Sequence, residues 1–211
     1  MTPLQEIVCV FGLAEIAIWL SEGYRLLSYG LGAIVLVFIL SYWILRPHRL
    51  KQILHPRQPD RDTARIAFAT MLFWCVIALI GSWRKPGITE DPAVYASCWR
   101  SLMPGYLANA FWQQVLLLGY IVPRINEELH DSRMTAFVTA CIFALIHLPN
   151  PVLVPVTAVG GGLCAYFFLE KKSFYALVLA HAVLGVSVMH FLPASWHHHS
   201  RIGPAYATWR P

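Results

Sequence analysis

The chain has 211 residues, of which 57% are hydrophobic and only 13% are charged. Because soluble domains carry about 25% charged residues, this composition excludes an ordinary soluble enzyme, a disordered tail and a fibrous repeat. The formal net charge of +5 would suit a nucleic-acid partner, but the basic residues lie between apolar runs. We therefore predict no nucleic-acid binding and assign these residues a role in membrane topology.

Seven apolar segments approach the ~20 residues that cross a bilayer. In chain order they are 4–20, 26–45, 64–83, 102–122, 133–149, 152–169 and 173–193. They predict an all-α fold: a polytopic membrane helix bundle with about seven transmembrane helices, forming one integral membrane domain over residues 1–211. Glu6 and Glu15 interrupt the first segment, which argues against a cleavable signal peptide.

The segment 46–65 is strongly basic, with six Lys or Arg residues against two Asp residues. The positive-inside rule predicts that it is a cytoplasmic loop. We expect an integral protein of a bacterial inner membrane, with the lipid bilayer as its surroundings. The last residues, 194–211, include three adjacent histidines, and we expect a polar tail there.

Polar side chains inside apolar segments are costly unless they are paired or functional. Residues three, four and seven apart share one face of a helix. One face of the segment 102–122 is therefore predicted to carry Tyr106, Asn109, Gln113 and Tyr120. The alternative role for such amides is hydrogen bonding between helices, worth about 0.6 kcal/mol per bond.

Two histidines lie in the following apolar segments, and histidine is a frequent acid–base residue. His147 comes one helical turn after Phe143, and His181 lies in the middle of the last segment. Between them, Gly160, Gly161 and Gly162 are predicted to let neighbouring backbones approach closely. The alternative for each histidine is a hydrogen-bonded core position.

The order W-Q-Q-x-x-x-L-G-Y-x-x-P-R, F-x-x-x-H-L-P-N, a glycine-rich helix and A-H-A-x-x-G resembles the CAAX-protease and bacteriocin-processing family (CPBP, or Abi). The resemblance covers about residues 104–190, the predicted core region. It implies a bundle of membrane helices with a cavity opening inside the membrane, and hydrolase activity on peptides. Known activities of the family include removal of the last residues of prenylated CAAX proteins.

The resemblance also implies site residues. Phe143 and His147 match the second motif, and His181 matches the start of the third. Gln113 and Gln114 stand where the family has a Glu pair, whose first member activates water together with the histidines. A glutamine cannot accept a proton at neutral pH, so the family mechanism cannot run unchanged. Two further positions depart from the family, where Leu118 replaces Arg and Gly185 replaces Asn.

Three functions follow as alternatives. The first is a divergent intramembrane peptidase-like enzyme that uses histidine acid–base chemistry on a membrane-embedded peptide or prenyl-lipid substrate. The second is a non-catalytic pseudoprotease that binds a lipid or a membrane partner. The third is an isomerase- or cyclase-type enzyme that acts on an isoprenoid lipid. The predicted catalytic residues are His147, His181, Gln113 and Gln114, and the predicted substrate-orienting residues are Asn109, Phe143, Tyr120 and Glu15.

Other carboxylates and metal ligands are candidates for the same site. Glu15 is a candidate because an intramembrane carboxylate is functional by default. Glu6 and Glu15 are nine residues apart and point to opposite faces of a helix, so we expect at most one of them to face the cavity. Glu127 and Glu128 are expected in a loop, as solvated charges. Two imidazoles are fewer than the three protein ligands of a zinc hydrolase, so we predict no metal and no cofactor.

Overall fold

The computed structural model describes residues 2–54, 61–84, 92–170 and 173–209, and these ranges contain helices and no strand. The all-α class is confirmed. In chain order the elements are α1 (Pro3–Leu20), α2 (Arg25–Leu45), α3 (Pro47–Leu54), α4 (Arg61–Arg84), α5 (Pro92–Leu116), a π-helical segment (Leu117–Ile121), α6 (Val122–Leu129), α7 (Ser132–Leu145), α8 (Leu153–Leu169), α9 (Phe174–Phe191), α10 (Ala194–His197), a 3₁₀ turn (His198–Ser200) and α11 (Pro204–Ala207).

Among the described residues, four helical stretches are long and apolar enough to cross a membrane: Pro3–Leu20, Arg25–Leu45, Thr63–Trp83 and Phe174–Phe191. The apolar helices α7 and α8 are shorter. Large apolar side chains on α2 point outwards, with Leu26 88% exposed and Leu45 80% exposed. Such a surface is unfavourable in water and is covered by lipid in a bilayer. The protein is an integral membrane protein, and the number of seven crossings stays a prediction.

Helix starts follow from the local sequence. Thr2 and Gln5 form a reciprocal capping box at the start of α1, where Pro3 needs no hydrogen-bond acceptor. The side chain of Asp131 caps α7 by accepting from the backbone of Met134. These caps satisfy backbone N–H groups that have no partner within the helix.

Two segments predicted as loops are partly helical. The segment 46–65 contains α3 and the beginning of α4, while residues 55–60 lie outside the described part of the chain. Glu127 and Glu128 lie in α6 rather than in a loop. The charge pattern indicated where polar residues lie but not that a short helix would carry them.

The segment 102–122 is not one continuous α-helix, because the π-helical turn lies between α5 and α6. Each π turn inserts an extra residue and shifts the helical register. The expectation that Tyr106 and Tyr120 share one α-helical face is therefore wrong. Asn109 is exposed, whereas Tyr120 is 1% exposed.

The described chain divides into two compact units. The first comprises Met1–His55, Val115–Glu170 and Arg201–Pro211, and the second comprises Pro56–Gln114 and Lys171–Ser200. In the first unit, α1 packs on α2, and α7 packs on α8. Its core includes Val10, Ile39, Tyr42 and Tyr120, and the rings of Tyr42 and Tyr120 meet edge to face at 5.3 Å.

In the second unit, α4 packs on α9. The close approach depends on Gly81, because a Cβ atom there would lie 2.7 Å from the Cβ of Phe191. The ring of Phe191 also meets that of Trp74 at 5.6 Å. Further towards the start of these helices, an apolar groove of about 390 Å³ is lined by residues of both, including Ile66, Met71 and Leu179.

The end of the chain is folded, in contrast to the polar tail expected from its histidines. His197 is completely buried in the second unit, where its Nε2 donates to the carbonyl of Leu192 at 3.2 Å. Its Nδ1 accepts from the backbone N–H of Ser200. Because both ring nitrogens are used inside the protein, this histidine has a structural role.

Candidate functional site

His147 lies just after the end of α7, in the first unit. It is 7% exposed, and its ring meets that of Phe143 edge to face at 4.8 Å. Its Nδ1 is 2.6 Å from the carbonyl oxygen of Phe143. A carbonyl only accepts, so Nδ1 carries the proton and Nε2 of the neutral ring is a proton acceptor.

Phe143 is held in place by α8. It is 6% exposed, and a Cβ atom at Gly161 would lie 2.7 Å from its ring. Gly162 permits a similar approach to Ala140, whereas a Cβ atom at Gly160 would meet open space. The predicted close approach at the glycine triplet thus depends on Gly161 and Gly162, and it sets the position of the ring that contacts His147.

The loop that contains His147, residues 146–152, holds a second buried polar residue that was not predicted from the sequence. Asn150 is completely buried, and its side-chain oxygen accepts from the backbone N–H groups of Val152 and Leu153. Its side-chain nitrogen donates to the carbonyl of Arg201 at 3.0 Å. The Asn-Pro-Val sequence before an apolar run is a turn and helix-start signal that could have identified this residue.

His181 and Gln114 are neighbours in the second unit. The side-chain nitrogen of Gln114 lies 3.3 Å from Nδ1 of His181. Gln114 is 1% exposed. With the amide nitrogen facing the ring, Nδ1 accepts and the proton of the neutral imidazole is on Nε2.

Gln113 is less buried than its neighbour Gln114. It is half-buried, and its side-chain oxygen is buried without a hydrogen-bond partner among the described residues. An unused buried acceptor costs about 1–3 kcal/mol, which a bound donor would recover. Asn109, by contrast, is exposed, so its amide is not part of the protein interior.

Where the family carries Asn in its third motif, Gly185 makes room for an aromatic ring. A Cβ atom at Gly185 would lie 2.5 Å from the ring of Tyr106. The hydroxyl of Tyr106 donates to the side chain of Ser200 at 3.1 Å. Tyr106 therefore occupies space that a side chain at position 185 would need.

Tyr120 takes part in a charged network of the first unit. Its hydroxyl donates to Glu6 at 2.7 Å, and the same carboxylate forms an ion pair with Arg124. Arg124 also pairs with Glu127 at 2.6 Å. Burial of the guanidinium opposes its charge, but hydrogen bonds to Glu6 and Glu127 outweigh this and raise the pKa of Arg124.

This network was not predicted from the sequence, where Glu6 and Glu15 were placed on opposite faces of a helix without a cation for either. The cost of a carboxylate in an apolar segment is a signal to look for its cation. Glu15, the other acid of α1, bonds to Trp19 one turn later. The Oε1 atom of Glu15 is buried and has no hydrogen-bond partner within the described ranges.

The predicted site residues thus form two groups, each within one unit. The first unit holds Glu15, Tyr120, Phe143 and His147, and the second unit holds Asn109, Gln113, Gln114 and His181. In the described part of the chain, no three His, Cys, Asp or Glu side chains come together in a way that could hold a metal ion.

Comparison with known proteins supports the resemblance stated from the motifs. Residues 96–187 match the model of a family described as Rce1-like, type II CAAX prenyl endopeptidase. No curated protein and no solved structure matches the chain. The matched region contains both histidines and both glutamines of the candidate site. The match over residues 96–187 therefore supports the assignment of this membrane protein to the CAAX-protease family.

Proposed function

We propose that the protein is an intramembrane peptidase-like enzyme that hydrolyses a membrane-embedded, prenylated peptide by histidine acid–base chemistry. The observation that carries the proposal is the hydrogen bond from Nδ1 of His147 to the carbonyl of Phe143 at 2.6 Å. This bond orients the ring and leaves Nε2 as a base. An oriented neutral imidazole can activate water without the carboxylate that the family uses.

In the proposed reaction, Nε2 of His147 takes a proton from water while the water oxygen attacks the scissile carbonyl carbon. A hydrogen-bond donor stabilises the negative charge that develops on the carbonyl oxygen. His181 is the second predicted acid–base residue, with its proton on Nε2. The C–N bond then breaks, and the leaving amine takes the proton held by His147. Gln113 presents a buried side-chain oxygen that has no hydrogen-bond partner among the described residues and that is free to accept from a polar ligand.

The test uses the purified protein in lipid vesicles with a farnesylated peptide that ends in a CAAX sequence. Release of the C-terminal tripeptide is followed by mass spectrometry. We expect wild type to release it and His147→Ala and His181→Ala to lower the rate by at least about 100-fold. His48→Ala is the matched control, because His48 is an exposed helical histidine. Equal rates for all four proteins would overturn the proposal.

The pseudoprotease is favoured by one observation, the two glutamines in place of the glutamates. It predicts that the farnesylated peptide binds to wild type, in vesicles, without being cut. A retained peptide that is displaced by a cavity-filling substitution would support this alternative. A changed isoprenoid lipid, with peptide termini unaltered, would instead support the isomerase or cyclase.

We also propose that the protein resides in a bacterial inner membrane with the segment 46–65 on the cytoplasmic side. His48 is exposed on α3, so His48→Cys in a cysteine-free background reports the location of that helix. An impermeant maleimide should label it in inverted vesicles and not in intact spheroplasts. Labelling in spheroplasts but not in inverted vesicles would show that the segment 46–65 lies on the opposite side of the membrane.

A further inference from the structure

Two hydrogen bonds join the loop that follows His147 to the end of the chain. The backbone N–H of Gly203 donates to the carbonyl of Leu148 at 2.7 Å. The side chain of Asn150 donates to the carbonyl of Arg201 at 3.0 Å. The two bonds lie on either side of Pro149, and all the residues involved belong to the first unit.

Asn150 links this connection to His147 itself. Its backbone N–H donates to the carbonyl of His147 at 3.0 Å, while its side-chain oxygen accepts from the start of α8. One completely buried side chain therefore joins three parts of the chain: the loop, the helix after it and the C-terminal segment. Buried amides with all these bonds made hold a single geometry, because any movement leaves a polar group unpaired.

The C-terminal segment is itself fixed at two further points. Gly203 has φ +56° and ψ −145°, a backbone conformation essentially limited to glycine. A Cβ atom there would also lie 2.8 Å from the side chain of Ile18 on α1. Further on, the hydroxyl of Thr208 donates to Glu22, just after the end of α1, at 2.9 Å.

We infer that residues 201–208 form a strap that positions His147 for its reaction, with Asn150 and Gly203 as positioning residues. The inference rests on the proposed function of His147. The strap acts through the backbone of residues 147–150, and neither positioning residue takes part in the chemistry. A displaced imidazole loses rate steeply, since a shift of about 1 Å at a reacting group can cost 100-fold.

The test combines two substitutions with matched controls. Asn150→Asp keeps the acceptor for α8 but replaces the donor to Arg201 by an oxygen, so the two oxygens repel each other. Asn126→Asp makes the same change where the side-chain oxygen accepts from Thr135. Gly203→Ala is paired with Gly160→Ala, where a methyl group meets open space.

Two readouts distinguish the strap from the proposed function. The first is the rate at which diethyl pyrocarbonate modifies His147, measured site by site by mass spectrometry, which needs no substrate. The second is cleavage of the farnesylated peptide. We expect Asn150→Asp and Gly203→Ala to change the modification rate at least about 3-fold and to lower kcat at least about 10-fold, with KM nearly unchanged. Both control variants should match wild type.

Wild-type modification and cleavage rates in both strap variants would overturn the inference. If wild type cleaves nothing, the proposed function fails, but the modification rate still decides whether the strap positions His147. If Asn150→Asp does not fold, the decision falls to Gly203→Ala. A general rise in reactivity that includes the exposed His48 would indicate unfolding and would count against a positioning role.

Discussion

The side-chain nitrogen of Gln114 donates to Nδ1 of His181 at 3.3 Å, at the position where the family carries the second glutamate of its pair. A carboxamide offers both a donor and an acceptor, whereas a carboxylate only accepts. The glutamine therefore allows His181 to keep its proton on Nε2. The substitution changes which atom of the histidine is able to donate, in addition to removing a charge.

Gln114→Glu should reverse the tautomer of His181. The carboxylate would accept from Nδ1–H, and Nε2 would become the acceptor. Nitrogen-15 NMR of histidine-labelled protein measures this directly, with the proton expected on Nε2 in wild type and on Nδ1 in the variant. Gln5→Glu, at the exposed start of α1, is the control for an added carboxylate. An unchanged tautomer in Gln114→Glu would show that the amide does not direct the ring.

Gln113→Glu should raise the rate of peptide cleavage. It restores the first glutamate of the family motif, and the buried oxygen at this position has no hydrogen-bond partner in the described chain. A positioned general base contributes about 100-fold or more. The measurement is release of the C-terminal tripeptide, compared with Gln5→Glu. A rate at or below wild type would mean that a base at position 113 does not reach the attacking water.

Glu6→Gln should destabilise the first unit. Among the described residues it leaves Arg124 with Glu127 as its close counter-ion, and it weakens the bond from Tyr120. Loss of a hydrogen bond to a charged group costs about 1.5–3 kcal/mol. Thermal unfolding in detergent should show a lower midpoint, while Glu128→Gln, on the exposed side of α6, should have no effect. Equal midpoints would mean that the network adds nothing to stability.

The charge of Arg124 should stabilise the protein over the whole usable pH range. Burial of the guanidinium lowers its pKa, but the hydrogen bonds to Glu6 and Glu127 outweigh this and raise the pKa of Arg124 above its ordinary value. A cationic group whose pKa is higher in the folded than in the unfolded protein stabilises the fold. This contribution is complete below the pKa of the unfolded state, and it is lost as the pH rises through the pKa of the folded state. In Arg124→Lys the pKa of this side chain in the unfolded protein is about 10.4, so the stabilising contribution of the charge begins to be lost at a lower pH.

The measurement for Arg124 is the unfolding midpoint as a function of pH. Between about pH 8 and pH 11, the midpoint of Arg124→Lys should fall more steeply than that of wild type. Parallel curves for the two proteins would contradict the assignment of this charge to the folded state. The comparison between the two curves removes the effects of all other titrating groups.

Gly185→Asn should be destabilising on its own, although it restores the family residue. The ring of Tyr106 lies 2.5 Å from the position that the new Cβ would take. Overpacking of this kind costs about 1–3 kcal/mol. Adding Tyr106→Ala should relieve the clash and recover part of the unfolding midpoint, measured in detergent. If the unfolding midpoint of the double variant does not recover, the destabilisation does not come from a clash with Tyr106.

Much of this protein could be predicted from the residues alone. Apolar segments such as 26–45 and 173–193 are helices in the structure, because the length of an apolar run is a local property of the sequence. The motif that contains Phe143 and His147 indicated the family. It could be found in the sequence because its residues lie within one helical turn of each other. The glycine triplet likewise indicated a close helix contact.

What only the tertiary structure decided depends on contacts between residues far apart in the chain. Tyr120 turned out to bind Glu6, and Gln114 rather than Gln113 turned out to contact His181. The π-helical turn changed the register on which the face from Tyr106 to Tyr120 had been predicted. No local pattern encodes such pairings, because each depends on how buried polar groups find partners once the helices have packed.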